Sequence, residues 1–235
     1  MGNLHRMMVR AAAGRPTGGG GLPVTSGLAL HLDAQSLSLS DTDPVLSWTD
    51  LSGNGYDGAG TGVTYIASAI NGHPAVRFDG VDDWVDVTSY ANLFSNQVTA
   101  FAMLRNWTAG TPWGGSANQS WLARASGGDV GRSHWVNADE ANLTSTAPGA
   151  GPVVLANVYN YATGDFAVRA DGVQIGSMTA SRSSPSETSS YFHLGKWNSG
   201  DWYAGDQGEV IVYDRILDAS ETSDVESYME ARWSA

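Results

Sequence analysis

Apolar and polar positions alternate along most of this chain, and a period of two residues is typical of a β-strand with one buried face. Leu28, Leu30 and Leu32 follow this period at the start of the regular pattern. Residues 97–104 are apolar on both faces, which indicates a strand inside a sandwich rather than at its edge. Residues 152–161 form the most hydrophobic segment and are also predicted to be a strand. The pattern therefore predicts an all-β protein.

Two pairs of apolar runs flank an Asp-Gly dipeptide, which is a local signal for reversal of the chain. In residues 76–87 the dipeptide is Asp79-Gly80, and in residues 166–178 it is Asp171-Gly172. Glycine accepts the positive φ that such turns need. The sequence predicts an antiparallel hairpin at each place.

The first 27 residues differ from the rest and are predicted to form an arm and tether, followed by one domain over residues 28–235. Arg10 interrupts the apolar run that a signal peptide would need. A helical spacing of apolar residues precedes the flexible run from Gly18 to Gly21. A leader without fixed structure is the alternative. The residues expected to contact a partner are Leu4, Arg6, Met7, Met8, Arg10 and Arg15.

Composition and charge exclude several classes of site and partner. The chain has 235 residues, is 42% hydrophobic and contains no cysteine, so it can form neither a disulfide nor a thiolate metal cluster. The formal net charge is -12; residues 1–32 carry three arginines and no acid, so the remainder carries -12 minus 3, or -15. A body this acidic repels nucleic acid and anionic membrane surfaces, and neither is expected as a partner.

Four separated motifs resemble those of the concanavalin A-like, laminin-G-like jelly rolls. They are Phe-Asp-Gly-x-Asp-Asp-Trp-Val from Phe78, Trp-x-Asp-x-Ser-Gly-Asn-Gly from Trp48, the hairpin at 169–176, and the closing run at 203–221. The resemblance implies a two-sheet antiparallel jelly-roll sandwich with a short C-terminal helix. Asp218 and Glu221 have the spacing of a capping box at the start of that helix.

The sequence does not support an enzyme. Related glycoside hydrolases carry Glu-x-Asp-x-Glu on one strand, and none of the six glutamates here begins that pattern. Glu209 lies in a predicted strand but has no acid two or four residues away. There is no Gly-x-Ser-x-Gly element, and the five histidines lack ligand spacing. The prediction is a protein without a catalytic site.

No cofactor is required by this interpretation, and calcium is the one ion that the sequence allows. Asp79, Asp82 and Asp83 cluster at the central turn, and related sandwiches bind calcium at a rim with such carboxylates. Oxygen ligands of this kind suit a hard cation. The alternative is that the three side chains cap the turn and remain solvated.

Glycan binding needs an exposed aromatic face with hydrogen-bonding groups beside it. Residues 106–120 are predicted to be a long loop that offers such a face. Packing in the core or at a sheet edge is the alternative for each tryptophan. The candidate glycan-binding residues are Trp107, Trp113, Asn118 and Gln119 in one patch, and Trp197, Asn198 and Asp201 in a second.

Two hypotheses for function follow. Because members of the resembled family are frequent in bacteriophage genomes, the first is a non-enzymatic virion structural protein. It would be a capsid decoration or tail-associated subunit that assembles in the host cytoplasm, self-associates, and is anchored to virion or capsid subunits by its arm. The alternative is a carbohydrate-binding lectin module on a cell or virion surface, with glycans as partners.

Overall fold

A computed structural model describes residues 21–89, 93, 97–115, 119–121, 124–126, 129–136, 139–146, 151–160, 162–179, 191–196 and 200–234. The first elements are β1 (Leu28–Asp33), a 3-10 helix (Ala34–Ser36), β2 (Ser47–Trp48), β3 (Gly58–Thr61), β4 (Thr64–Ile70), β5 (His73–Asp79), β6 (Trp84–Ser89), β7 (Gln97–Ala109) and β8 (Trp113–Gly115). They are followed by β9 (Gln119–Trp121), β10 (Arg124–Ser126), β11 (Asp129–Val136), β12 (Asp139–Thr146), β13 (Val153–Asn160), β14 (Asp165–Ala170), β15 (Val173–Thr179), β16 (Tyr191–Leu194), β17 (Ala204–Tyr213) and α1 (Ala219–Arg232). The all-β prediction is confirmed.

The larger sheet has eight strands and is built around β17. Its order is β15-β14-β13-β7-β17-β5-β4, and β1 also pairs with β17. One side of β17 pairs with β7; on the other side its first half pairs with β5 and its second half with β1. The predicted hairpin at 166–178 is confirmed, because β14 and β15 pair across Asp171 and Gly172, whose φ angles are 47° and 74°.

The second sheet has the order β2-β3-β6-β16-β8 and packs on the larger one. Its inward side chains share one buried cluster with those of β7 and β17, so the two sheets form an antiparallel sandwich as predicted. Strands β9 to β12 form a further four-stranded antiparallel sheet. The shared cluster includes Val85, Val87, Phe192 and Leu194 from the smaller sheet and Ala100, Ala102, Val210 and Val212 from the larger one.

Residues 76–87 cross between the two sheets, so the antiparallel hairpin predicted there is wrong. β5 pairs with β4 and β17, whereas β6 pairs with β3 and β16. Asp83 caps the crossing, because its carboxylate accepts a hydrogen bond of 2.9 Å from the backbone N–H of Asp79. Phe78 and Val85 are buried in the same core from opposite sheets. Alternating apolar residues fit a crossing as well as they fit a hairpin.

A second core lies between the outer face of the larger sheet and helix α1. The predicted capping box is present: Asp218 accepts from the backbone of Glu221, and Glu221 accepts from the backbone of Asp218. The second core includes Phe101, Ile211 and Tyr213 from the sheet and Val225, Met229 and Trp233 from the helix and its end.

In the part of the chain that the structure describes, no helix is long and apolar enough to cross a lipid bilayer.

The start of helix α1 is expected to weaken in acid. The Arg215 side chain and then the Asp218 backbone N–H lower the pKa of Glu221 from 4.5 to about 2. Its stabilising contribution is therefore complete above pH 4.5 and is lost as the pH falls towards about 2. In thermal unfolding, the Tm difference between wild type and Glu221→Gln should shrink across this interval. The control is Asp224→Asn, an exposed position of the same helix; a constant difference for Glu221→Gln would contradict the assignment.

Candidate functional site

The outward face of the five-stranded sheet carries a group of aromatic and charged residues. On β6, Val85 and Val87 are buried in the core, so Trp84 and Asp86 project from the opposite face. On β16, His193 is in register with Asp86. We name this group, together with two residues of the following loop, the aromatic rim. It consists of Trp84, Asp86, His193, Lys196 and Trp202.

Two indole rings and a lysine form the centre of the aromatic rim. The ring centroids of Trp84 and Trp202 are 5.8 Å apart, and the ring planes are inclined by 38°. Lys196 Nζ lies 3.8 Å from the Trp84 centroid and 5.9 Å from the Trp202 centroid, which is within the range of cation–π attraction. Burial lowers the pKa of Lys196, while the charge of Asp86 opposes that shift. All three side chains remain partly exposed.

The loop that carries Lys196 and Trp202 begins at a position that requires glycine. Gly195 has a φ of +87°, and a Cβ at this position would lie 2.3 Å from Cδ1 of Phe78. The Gly195 carbonyl accepts a hydrogen bond of 2.8 Å from the backbone N–H of Tyr203. The two ends of the loop are therefore held together, and this contact fixes the lysine and the second tryptophan at the end of the sheet.

An imidazole and a carboxylate extend the aromatic rim along the sheet. His193 Nδ1 lies 2.6 Å from Oδ1 of Asp86. Burial would raise the pKa of Asp86, but the hydrogen bond with His193 and the charge of Lys196 are among the interactions that outweigh it and lower the pKa. The Tyr191 ring centroid is 6.1 Å from that of His193, and Tyr191 is 55% exposed. The rim thus places aromatic surface beside acceptors and donors, the combination that sugar-binding sites use.

Trp107 and Trp113 are buried, so the predicted stacking surface at these two residues is wrong. They are 5% and 1% exposed and belong to the core of the sandwich. The segment predicted to be a loop contains the end of β7, all of β8 and the start of β9. Trp107 donates from Nε1 to the carbonyl of Gly110 at 3.1 Å, and Trp113 pairs with Leu194 in the smaller sheet.

The second predicted patch is described only in part. Asp201 directly precedes Trp202, and its backbone carbonyl accepts from the N–H of Thr111 at 3.0 Å. Of Gln119 only the backbone is described, in β9. The predicted residues outside the described part of the chain are Asn118, Trp197 and Asn198, and those of the arm: Leu4, Arg6, Met7, Met8, Arg10 and Arg15.

Sequence reasoning missed the centre of the aromatic rim. Neither Trp84 nor Trp202 is among the glycan-binding residues predicted from the sequence. The signal was nevertheless present: if Val85 and Val87 face the core, then Trp84 must face outward on the same strand. The pairing of this strand with β16 could not be read from the sequence.

The predicted calcium ligands Asp79, Asp82 and Asp83 lie together at the crossing beside the aromatic rim. One carboxylate oxygen from each lies within 4.8 Å of the others. Burial raises the pKa of Asp83, and the charges of Asp79 and Asp82 raise it further. Because Ca²⁺ takes about six to eight oxygen ligands, these three carboxylates fit part of its coordination shell.

A second group of titratable residues surrounds Glu209, which is fully buried on the outer face of β17. Its Oε1 accepts from His31 Nε2 at 2.8 Å and from the Tyr228 hydroxyl at 3.3 Å. Its Oε2 accepts from Trp233 Nε1 at 2.7 Å. Both carboxylate oxygens are therefore engaged by side chains of β1, α1 and the residue after α1.

Asp33 lies next to Glu209, with carboxylate oxygens within 4.8 Å of each other. Burial and the charge of Glu209 raise the pKa of Asp33, while Arg232, which forms an ion pair with it, lowers the pKa. Retaining glycosidases place two carboxyls about 5 Å apart, but both must face a bound sugar. Glu209 has no exposed surface, so this pair fastens helix α1 to the sheet instead.

No family model and no curated protein matches this chain in sequence. Solved structures do match it in fold. Domain 4 of an extracellular GH43 arabinanase from Geobacillus stearothermophilus, in complex with arabinotriose, has a TM-score of 0.61 and 17% identity, and the match covers 85% of this chain and 98% of that domain.

This chain also matches parts of two larger protein chains. The binding domain of botulinum neurotoxin DC in complex with SialylT has a TM-score of 0.64 and 12% identity, and covers 87% of this chain and 52% of that one. Trypanosoma rangeli sialidase in complex with sialic acid has a TM-score of 0.59 and 14% identity, and covers 90% of this chain and 34% of that one. These similarities show a shared β-sandwich fold.

The sequence-based prediction of calcium at the acidic crossing implies that added calcium raises the Tm. At a concentration ten times the Kd, binding stabilises the folded state by about 1.4 kcal/mol. The effect should be lost in Asp82→Asn, which removes one exposed carboxylate. It should persist in Asp224→Asn on helix α1. An equal response to calcium in all three proteins would contradict a site at the crossing.

Glu209 is expected to be structural. Glu209→Ala leaves the His31, Tyr228 and Trp233 donors without their acceptor, and should reduce the free energy of unfolding by about 3–5 kcal/mol. Glu209→Gln keeps one acceptor oxygen and should lose less. Denaturant unfolding checks both variants, and an alanine variant as stable as wild type would refute the assignment.

Proposed function

We propose that this domain is a non-catalytic carbohydrate-binding module that holds a glycan against the aromatic rim. The observation that carries the proposal is the pair of partly exposed indoles, Trp84 and Trp202, beside the fixed polar groups of Asp86 and Lys196. Indole faces pack against the C–H surface of a sugar ring, and the polar groups bond its hydroxyls. One surface thus supplies both the apolar contact with the sugar ring and the hydrogen bonds that orient it.

The structural neighbours support this proposal by analogy of fold. The arabinanase domain was solved with arabinotriose and the sialidase with sialic acid. Fold similarity alone does not assign a ligand. The neighbours indicate that sandwiches of this kind occur in proteins that bind sugars. The aromatic rim gives the present chain a surface with aromatic rings and hydrogen-bonding groups.

The proposal is for binding without turnover. Two described groups hold carboxylates at glycosidase-like spacing. Asp33 and Glu209 lie beneath helix α1, and at the crossing Asp79 and Asp83 accept hydrogen bonds from backbone N–H groups. At the rim, Asp86 is engaged by His193. This arrangement favours a ligand held by stacking and hydrogen bonds.

The virion role, the membership of a laminin-G-like phage group and the virion location remain predictions. They rest on the resemblance to a family that is frequent in bacteriophage genomes and on the basic arm at residues 1–27, of which residues 1–20 lie outside the described part of the chain. The structural neighbours named above are an enzyme domain, a toxin domain and a sialidase. A glycan-binding domain is compatible with display on a virion, and equally with an extracellular or cell-surface location.

Removal of either indole should weaken glycan binding. Trp84→Ala and Trp202→Ala are each expected to lower affinity by about tenfold or more, equivalent to about 1.4 kcal/mol, because the stacking face is lost. A glycan array identifies the ligand, and isothermal titration calorimetry then measures the affinity of each variant.

The matched control is Val173→Ala, which removes exposed apolar surface from the edge strand of the larger sheet, where Val173 is 63% exposed. Thermal unfolding verifies that every variant is folded. Unchanged affinity in both folded tryptophan variants would place the glycan site elsewhere and overturn the proposal.

A further inference from the structure

The charges around the aromatic rim are predominantly negative. Asp86 belongs to the rim itself, and the crossing beside it contributes Asp79, Asp82 and Asp83. The crossing adjoins the rim, because a Cβ on Gly195, the residue before Lys196, would lie 3.0 Å from the backbone oxygen of Asp83. Of the three carboxylates at the crossing, those of Asp79 and Asp82 are exposed and that of Asp83 is buried.

The described cation at this surface, Lys196, already interacts with other residues of the aromatic rim. Lys196 is the only lysine in the sequence, and its Nζ lies over the Trp84 ring at 3.8 Å. The charge of Asp86 stabilises its ammonium form. Among the side chains that the structure describes, no cation forms an ion pair with Asp79, Asp82 or Asp83.

The arginines whose side chains the structure describes are committed to other partners. Arginine is the side chain best suited to bind a carboxylate or sulfate, through paired hydrogen bonds. Each of these guanidinium groups instead contacts a group within the fold. The pairs are Arg77 with Asp206, Arg105 with the Ala69 carbonyl, Arg169 with Glu226, Arg215 with Glu221, and Arg232 with Asp33.

The hydrogen-bonding capacity of the surface matches hydroxyl groups better than anions. An ionised carboxylate only accepts hydrogen bonds, and sugar hydroxyls donate them. A sugar carboxylate or sulfate also only accepts, and would in addition meet like charge on a chain whose formal net charge is -12. Among the described side chains, attraction would then depend on Lys196.

We infer that the aromatic rim selects uncharged glycans and rejects sugars that carry a carboxylate or a sulfate. This inference rests on the proposed function and names its ligand class. It requires no change of shape, because the selection comes from the fixed excess of carboxylates around the two indoles.

Matched pairs of probes test this selectivity. Lactose and 3′-sialyllactose form one pair, and galactotriose and trigalacturonate form another. An array that also contains arabinotriose and other neutral and sulfated oligosaccharides is screened in EDTA, and calorimetry follows on each pair that binds. The uncharged member should bind at least about tenfold more tightly, equivalent to about 1.4 kcal/mol.

A charge-reversal variant gives a second measurement. Asp82 is exposed, so Asp82→Lys should leave the fold intact. It should narrow the preference for the uncharged member by about two- to fourfold at low salt, and by less at high salt, because surface charges interact weakly in water and are screened by salt. Asp224→Lys on helix α1 is the matched control and should leave the preference unchanged.

The possible outcomes distinguish failure of the selectivity inference from failure of the proposed function. Equal or tighter binding of an acidic glycan in EDTA would overturn the inference while leaving glycan binding in place. Binding of acidic glycans that appears only with added calcium would also overturn it, because the carboxylates would then act through a bridging cation. Failure of every probe to bind would overturn the proposed function and the inference together.

Discussion

Both faces of β17 are buried, and the arrangement of the remaining elements follows from this constraint. Val210 and Val212 point into the sandwich, while Ile211 and Tyr213 point into the outer core. A strand buried on both faces needs a cover on each side, which the smaller sheet and helix α1 supply. Because Glu209 falls on the outer face, the outer cover must also provide hydrogen-bond donors for a buried carboxylate. The helix is thus positioned by polar contacts as well as by apolar packing.

The same strand positions the candidate site. Its first residue, Ala204, pairs with Asp79, where the chain leaves the larger sheet to cross into the smaller one. At the crossing, a Cβ on Gly80 would lie 2.8 Å from that of Ala204, so the two segments approach closely only because Gly80 lacks one. Trp202 comes two residues before the strand begins. The acidic crossing and the loop that carries Trp202 are therefore brought together by the pairing of β5 with β17, although about 120 residues separate them in sequence.

Local patterns were enough to predict the strands, the 166–178 hairpin and the capping box, because each is specified by neighbouring residues. Asp50, in the motif that begins at Trp48, likewise organises the local turn, since its carboxylate accepts from the N–H groups of His31, Ser52 and Tyr56. The crossing at 79–83 was predicted wrongly because an alternating pattern fixes which side chains face the core, and not which strand lies alongside. Trp107 and Trp113 were misplaced for a related reason: a loop-like composition of Gly, Ser and Asn hid two segments that pair with distant strands.

The two acidic groups of the protein show how its fold and its surface use the same side chains differently. Around Glu209, buried carboxylates are matched by donors from histidine, tryptophan, tyrosine and arginine, and Arg232 balances one of the two negative charges of Asp33 and Glu209. At the crossing, Asp79 and Asp83 accept from backbone N–H groups, and the charges of Asp79 and Asp82 raise the pKa of Asp83 beyond the effect of its burial. Backbone donors satisfy hydrogen bonds but do not cancel charge. We propose that the charge of this acidic group, beside the partly exposed indoles, determines which sugars can approach the rings.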